Sequence, residues 1–264
     1  MLLQVKDLDI SYGARRIVEG VSFTLEKGEI LTIVGESGSG KTTVIRAIMG
    51  CLPGNGWISG GSILFNGKEL TVATAEERRT GYGVEISMIF QDSGSMLNPV
   101  RKIGVQFLDY IRVHSPQLRE KEAYDFAVSI LERVHLADAA AVMESYPFEL
   151  SGGMRQRVGI AMAIAFNPML LLGDEPTSAL DVTTQAQIIR QLIDIRNAYQ
   201  LACILVTHNI GVASYISDKI IVMQNGKIIE SGSREQIISH PQQLYTKKLL
   251  GAVPSMGGVP YVER

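Results

Sequence analysis

Gly35-Glu-Ser-Gly-Ser-Gly-Lys41-Thr42 is the segment that most limits what this 264-residue chain can become. It fits G-x-x-x-x-G-K-[ST], with the β-branched run ILTIV before it and TTVIRAIMGCL after it, a helix expected to end at Pro53-Gly54. A strand, a glycine turn and a helix in that order can wrap backbone around a phosphate chain. Gly35, Gly38 and Gly40 supply the tight path. The N–H groups of the run containing Ser37, Ser39 and Thr43 are expected to point inward as donors, and the helix adds its positive end. Lys41 is expected to reach the β- and γ-phosphates and Thr42 to ligate Mg²⁺, so the expected ligand is Mg²⁺-ATP.

Three further apolar runs end in polar groups suited to that ligand. MLLLG leads into Asp174 and Glu175. Asp174 at a strand end would hold the metal through water, and Glu175 would take a proton from the water attacking the γ-phosphate. CILVT leads into His208, placed to donate to the γ-phosphate, and ISMIF leads into Gln91, within reach of the metal or the attacking water. The other histidines, His114, His135 and His240, fall at helix ends or in loops, where plain surface roles are expected.

LSGGMRQR is a second glycine turn opening a second helix. With Ser151 as N-cap and Gly152, Gly153 and Gln156 in the first turns, it is either an anion site or an ordinary capped helix. One active site does not need two such loops, so the simplest account has this one closing on the phosphate of a second subunit.

Between these motifs the chain alternates strand and helix signals, with one interruption. LLQVKDLDIS, IVEGVSFTL and ILTIVG read as strands, and SILF-NG-KEL and IIVMQ-NG-KIIES as two-residue hairpins. From 93 to 157 strand signals are absent. Ile103, Phe107, Leu108 and Ile111 share one helical face, and Ala127, Ile130, Leu131 and Val134 another. A long helix from Asp181 to Tyr199 carries two apolar rows, one through Val182, Ala186, Ile189 and Ile193, the other through Ile188, Leu192, Ile195 and Tyr199. Met96 and Leu97, with Phe107, follow Gln91 closely and need either a core or a partner helix. The expected organisation is one domain: 1–92 and 158–240 form the core with a β subdomain, 93–157 a helical insertion, and 241–264 a C-terminal helix and a loosely held tail from Pro254.

The formal net charge is -2, which gives no reason to expect nucleic acid or an anionic membrane surface as partner. Cys51 and Cys203 both sit among apolar neighbours and read as core residues of a reducing compartment. The nearest thing to a membrane span, Val158 to Gly173, is broken by Asn167 and Pro168, and the N-terminus carries no signal-peptide pattern. The expected location is therefore cytoplasmic, with any membrane role exercised through another protein.

Taken in order, Tyr12, GESGSGKT, Gln91, LSGGMRQR, LLLGDEP, SALD from Ser178 to Asp181, and His208 resemble the nucleotide-binding domain of ABC ATPases over nearly the whole chain. The resemblance implies an α/β fold: a P-loop RecA-like core, an antiparallel β subdomain and an inserted helical subdomain. It implies a head-to-tail pair with two ATPs between P-loop and signature turn. Tyr12 would stack on adenine, Ser151 and Gly153 would pin the partner's γ-phosphate, and Asp181 would lie at the subunit interface. Gly173 stands where the family often has Ala, and Asn209 where Asp often follows the histidine.

SMLNPVRKIGVQ (Ser95 to Gln106), YPFELSGGMRQR and LYTKKLL (Leu244 to Leu250) resemble the branch that imports peptides and nickel. That implies an ATP-hydrolysing subunit of an importer, peripheral on the cytoplasmic side of the cell membrane. Its partners would be a second, non-identical ATPase subunit, transmembrane permease subunits and, indirectly, an extracytoplasmic substrate-binding protein. The chain ends without a cysteine-containing extension, which leans toward nickel or metal chelates. The alternative is a soluble ABC ATPase acting on DNA, ribosomes or cofactor assembly.

Overall fold

The computed structural model describes residues 1–74, 76–77, 81–91, 96–178 and 180–252. Ser95, Ala179 and the tail from Pro254 lie outside them. Strand β3 (Ile30–Val34) is buried at every residue, because β8 (Ala202–Thr207) and β9 (Lys219–Gln224) pair with it in parallel on either side. Beyond β8 come β7 (Leu170–Asp174) and β6 (Ile86–Ile89), both parallel, and β10 (Lys227–Ser233) closes the other edge antiparallel to β9. The order is β10-β9-β3-β8-β7-β6. Strands β7 and β8 are also buried throughout, as continuous apolar runs covered on both faces should be.

A second, antiparallel sheet has the order β2-β1-β4-β5, built from β1 (Leu3–Tyr12), β2 (Arg15–Leu25), β4 (Gly56–Phe65) and β5 (Lys68–Glu69). Strand β4 is longer than SILF. Its first half, GWISGG, pairs with β1 across a register shift opposite Lys6 to Asp9. Both Asn-Gly hairpins form, with positive φ at Asn66, Gly67, Asn225 and Gly226.

Helix α1 (Lys41–Ile48) stops short of the expected Pro53. Gly50, at φ 66°, ends it in the left-handed conformation that terminates helices. Cys51, now past the helix, is exposed rather than core; Cys203 is buried.

Helices α2 (Ile103–His114), α3 (Glu120–Arg133) and α4 (Ala139–Glu144) follow, then a 3₁₀ turn at Pro147–Glu149 and α5 (Gly152–Ile164). Ile103, Phe107 and Ile111 of α2 and Ala127 and Ile130 of α3 meet Val158 and Ala161 of α5 in one apolar cluster. Residue 157 falls inside α5, which runs on toward β7. Leu97 and Phe107 are core, and of the three apolar residues after Gln91 only Met96 is exposed, at 59%. His114 is not a plain surface residue either: its ring centroid lies 4.9 Å from that of Tyr110 and 5.2 Å from that of Phe166.

Helix α6 (Val182–Tyr199) buries Ile188, Ile189, Leu192 and Ile195, but Val182 and Ala186 are exposed. The first of the two expected rows therefore meets the sheet only from Ile189 onward. Helices α7 (Ile210–Ile216), α8 (Arg234–Ser239) and α9 (Leu244–Gly251) complete the described chain and share a smaller cluster around Val34, Val222 and Ile237. Among the described residues no helix is long and apolar enough to cross a membrane.

Candidate active site

Strand β3 delivers the chain to Gly35, where only glycine fits. A Cβ built there would lie 2.2 Å from the Met223 carbonyl oxygen on β9. The loop then turns to Gly40, at φ 98°, and opens α1 at Lys41. The first N–H groups of a helix have no acceptor within it, so those of Lys41, Thr42 and Thr43 are available to an anion. One expected donor is engaged within the loop: the Ser39 N–H donates to Glu36 O at 3.2 Å. Lys41 is buried, its Nζ donating to Gly35 O and Glu36 O at 2.7 Å each. Burial lowers its pKa, while the negative charges of Glu175, Asp174 and Glu36 work against that shift.

The parallel strands end side by side, which brings distant residues to the same edge. At the end of β7, Asp174 is 2% exposed. Its Oδ1 accepts the Thr42 hydroxyl at 2.7 Å, and its Oδ2 lies 3.6 Å from Arg46 Nη2. Glu175 follows with φ 47°, its N–H donating to Val206 O on β8 at 2.9 Å. That bond keeps it beside the end of β8, where its Oε2 lies 3.0 Å from His208 Nδ1. Gln91 comes two residues after β6. A cleft of about 930 Å³ joins these groups, lined by Glu36, Ser37, Gly38, Gly40, Lys41, Thr42, Thr43, Gln91, Glu175 and His208, with Arg15, Ile17 and Leu249.

Residues 18–178 match the model of the family described as ABC transporter. The chain belongs to that family. It is 43% identical over 260 residues to the oligopeptide transport ATP-binding protein OppD of Bacillus subtilis (strain 168), covering 97% of this chain and 72% of that protein. With the dipeptide transport ATP-binding protein DppD of Escherichia coli (strain K12) the identity is 41%, over 96% of this chain and 78% of that one. Among solved structures, a dimeric ATP-binding cassette in a post-hydrolysis state, bound to ADP and phosphate, superposes with a TM-score of 0.77. It is 26% identical, and the match covers 88% of this chain and 99% of that one.

Within this ABC cassette the P-loop, Gln91, Asp174, Glu175 and His208 come together, and the signature turn does not join them. Ser151 and Gly152 are exposed, and Ser151 caps α5 by accepting the Met154 N–H at 3.2 Å. Gly153 faces Thr184, whose Cγ2 would lie 2.8 Å from an added Cβ. Gln156 is buried, its Nε2 donating to Pro176 O at 2.6 Å, and it does not line the cleft. Tyr12 is not among the cleft-lining residues. Its ring packs against Gly56, where an added Cβ would stand 2.7 Å from Tyr12 Cε1, and Ile17 lines the cleft instead. Sequence reasoning missed Arg15 and Ile17, which carry no motif, and Leu249, whose segment LYTKKLL pointed to the importer branch and not to the cleft. Gly173, in place of the family's frequent Ala, faces Leu205, whose Cδ2 would lie 2.7 Å from an added Cβ. Asn209 caps α7 by accepting the N–H groups of Gly211 and Val212.

The residues fit a hard divalent cation. Thr42, Asp174 and Gln91 offer oxygen donors, and among the described residues no group of three or more His, Cys, Asp or Glu could hold a metal alone. A cation that keeps several waters and shares phosphate oxygens needs no protein cage, and Mg²⁺ behaves in that way.

Proposed function

We propose that this chain binds Mg²⁺-ATP in the cleft between the P-loop and Glu175 and hydrolyses it as the motor subunit of a peptide importer. The observation that carries the reading is the paired contact at one sheet edge: Thr42 on Asp174 at 2.7 Å and His208 on Glu175 at 3.0 Å. Thr42 and Asp174 would hold Mg²⁺, with Gln91 close by. The ion, when bound, would neutralise phosphate charge. Lys41 and the opening N–H groups of α1 take up the β- and γ-phosphates. Glu175 accepts the proton of the attacking water, a role worth ~10²–10⁴-fold in rate. His208 orients Glu175 through Nδ1, leaving its other ring nitrogen for the γ-phosphate.

The exposed Ser151 turn, standing outside its own cleft, supports a head-to-tail pair in which each signature turn completes the other chain's site. The dimeric cassette among the structural relatives supports the same arrangement. Mg²⁺, a non-identical second ATPase subunit and a substrate-binding protein are parts of this proposal, as is a place at the cytoplasmic face of the membrane. Peptides are the proposed cargo because the similar proteins are named for oligopeptide and dipeptide transport. The lean toward nickel rested on the chain's end alone and finds no support in those names.

An apolar groove of about 180 Å³ follows Gln91, lined by Phe90, Met96, Leu97, Tyr110 and Met162 among others. It is the proposed seat for a permease helix, placed where closure around ATP would move it. The test is co-expression with permease and binding protein. Membrane association and an ATPase rate stimulated by peptide-loaded binding protein are expected. A chain that remains soluble, with turnover indifferent to all three, would sink the importer reading.

A further inference from the structure

Helix α9 belongs to none of the nucleotide-binding motifs, yet it reaches the cleft at two points. The Tyr245 hydroxyl accepts the Glu36 N–H at 2.9 Å, and Leu249 lines the cleft. The helix is held firmly enough for these contacts to matter. Glu230 of β10 accepts the N–H groups of Gln242 and Gln243 at 2.7 and 3.1 Å and the Thr246 hydroxyl at 2.5 Å. Tyr245, Leu249 and Leu250 pack on the cluster containing Val34, the last residue of β3 before the P-loop.

The decisive geometry lies in a single peptide unit. Glu36 N–H and Gly35 C=O belong to the same planar group, so orienting one orients the other. Tyr245 holds the N–H from outside, and Lys41 Nζ takes the carbonyl oxygen from inside at 2.7 Å. The unit begins at a glycine, the residue with least intrinsic preference for any one orientation. We propose that Tyr245 is a positioning residue for ATP binding: it fixes the Gly35–Glu36 peptide that seats Lys41, while Leu249 makes α9 one wall of the nucleotide cleft. The proposal rests on the ATP-site reading above and adds an element to that site.

The test uses the full chain with Mg²⁺-ATP and a fluorescent ATP analogue. Tyr245→Phe keeps the ring and removes only the hydroxyl. The expected result is a ~3–10-fold rise in nucleotide Kd and in KM for ATP, the size of one lost neutral hydrogen bond, with kcat within about twofold. Melting temperature should stay close to that of the parent. Leu249→Ala should also raise KM with little change in kcat. Lys41→Ala is the control that separates the two readings. If the parent chain binds no nucleotide, or Lys41→Ala binds as well as the parent, the ATP-site reading falls and this one with it. If Lys41→Ala loses binding but Tyr245→Phe matches the parent in Kd and KM, only the role of α9 is overturned. A Tyr245→Phe variant whose kcat and melting temperature fall together with affinity would likewise overturn it, as a general structural defect.

Discussion

The hydroxyl of Thr42 donates to the carboxylate of Asp174 across 2.7 Å, joining two residues 132 positions apart in the chain. The bond fastens the P-loop helix to the end of β7, so the phosphate-binding side of the cleft and its acidic side hold one spacing. Glu175, the next residue, is thereby held in the wall of the cleft that Lys41 also lines.

Glu175→Gln preserves shape and removes the proposed base. Hydrolysis is expected to drop by at least ~10²-fold while nucleotide binding persists. Phosphate release and nucleotide titration on the same preparation check it. Turnover within a few-fold of the parent would remove Glu175 from the role of general base.

Gly35→Ala places a methyl group 2.2 Å from the Met223 carbonyl oxygen, so backbone must move. The expected loss of stability is roughly 1–3 kcal/mol. Because the shift falls on the phosphate loop, nucleotide affinity should fall as well. Denaturant unfolding with and without nucleotide measures both effects.

Ser151→Arg changes an exposed residue outside the cleft. Nucleotide binding to the isolated chain should be unchanged, while activity of the assembled pair is abolished. In a pair with a different subunit, the defect should appear at the site holding the partner's ATP. An isolated mutant chain that already fails to bind ATP contradicts the two-chain sandwich.

His114 gives a pH signature. Burial against Tyr110 and Phe166 lowers its pKa below the ordinary 6.5. Between that lowered value and 6.5 the unfolded chain binds more protons than the folded one, so stability rises with pH across this window and levels off above it. His114→Phe should flatten that part of the profile. Urea midpoints measured from pH 5 to 7.5 for both proteins test it.

The parts legible in sequence were those whose chemistry is local. A strand, a turn and a helix announce the P-loop within a dozen residues, and apolar strands ending at Asp174 and His208 announce the sheet edge. What escaped depends on who packs against whom. GWISGG forms strand through its pairing with β1, across a break in register that no local pattern announces. Leu97 is core and its neighbour Met96 is exposed, a choice made by α2 and α5 rather than by residue type. Gln156 is buried with its amide on Pro176, a partner twenty positions away that no local pattern names. Tyr245 stands 209 residues from Glu36, a separation no local pattern bridges.

Strand β3, early in the chain, is flanked by β8 and β9, both more than 160 positions later. During synthesis β3 therefore emerges long before the strands that flank it, and it waits as an unpaired apolar segment until β8 is out at about residue 207, gaining its second neighbour only at about residue 224. Contacts of such separation fold slowly and leave strand edges open to other chains in the meantime. A ribosome stalled before β9 would present β3 with one edge still open, and this protein's demand for chaperones should be greatest over that stretch of translation.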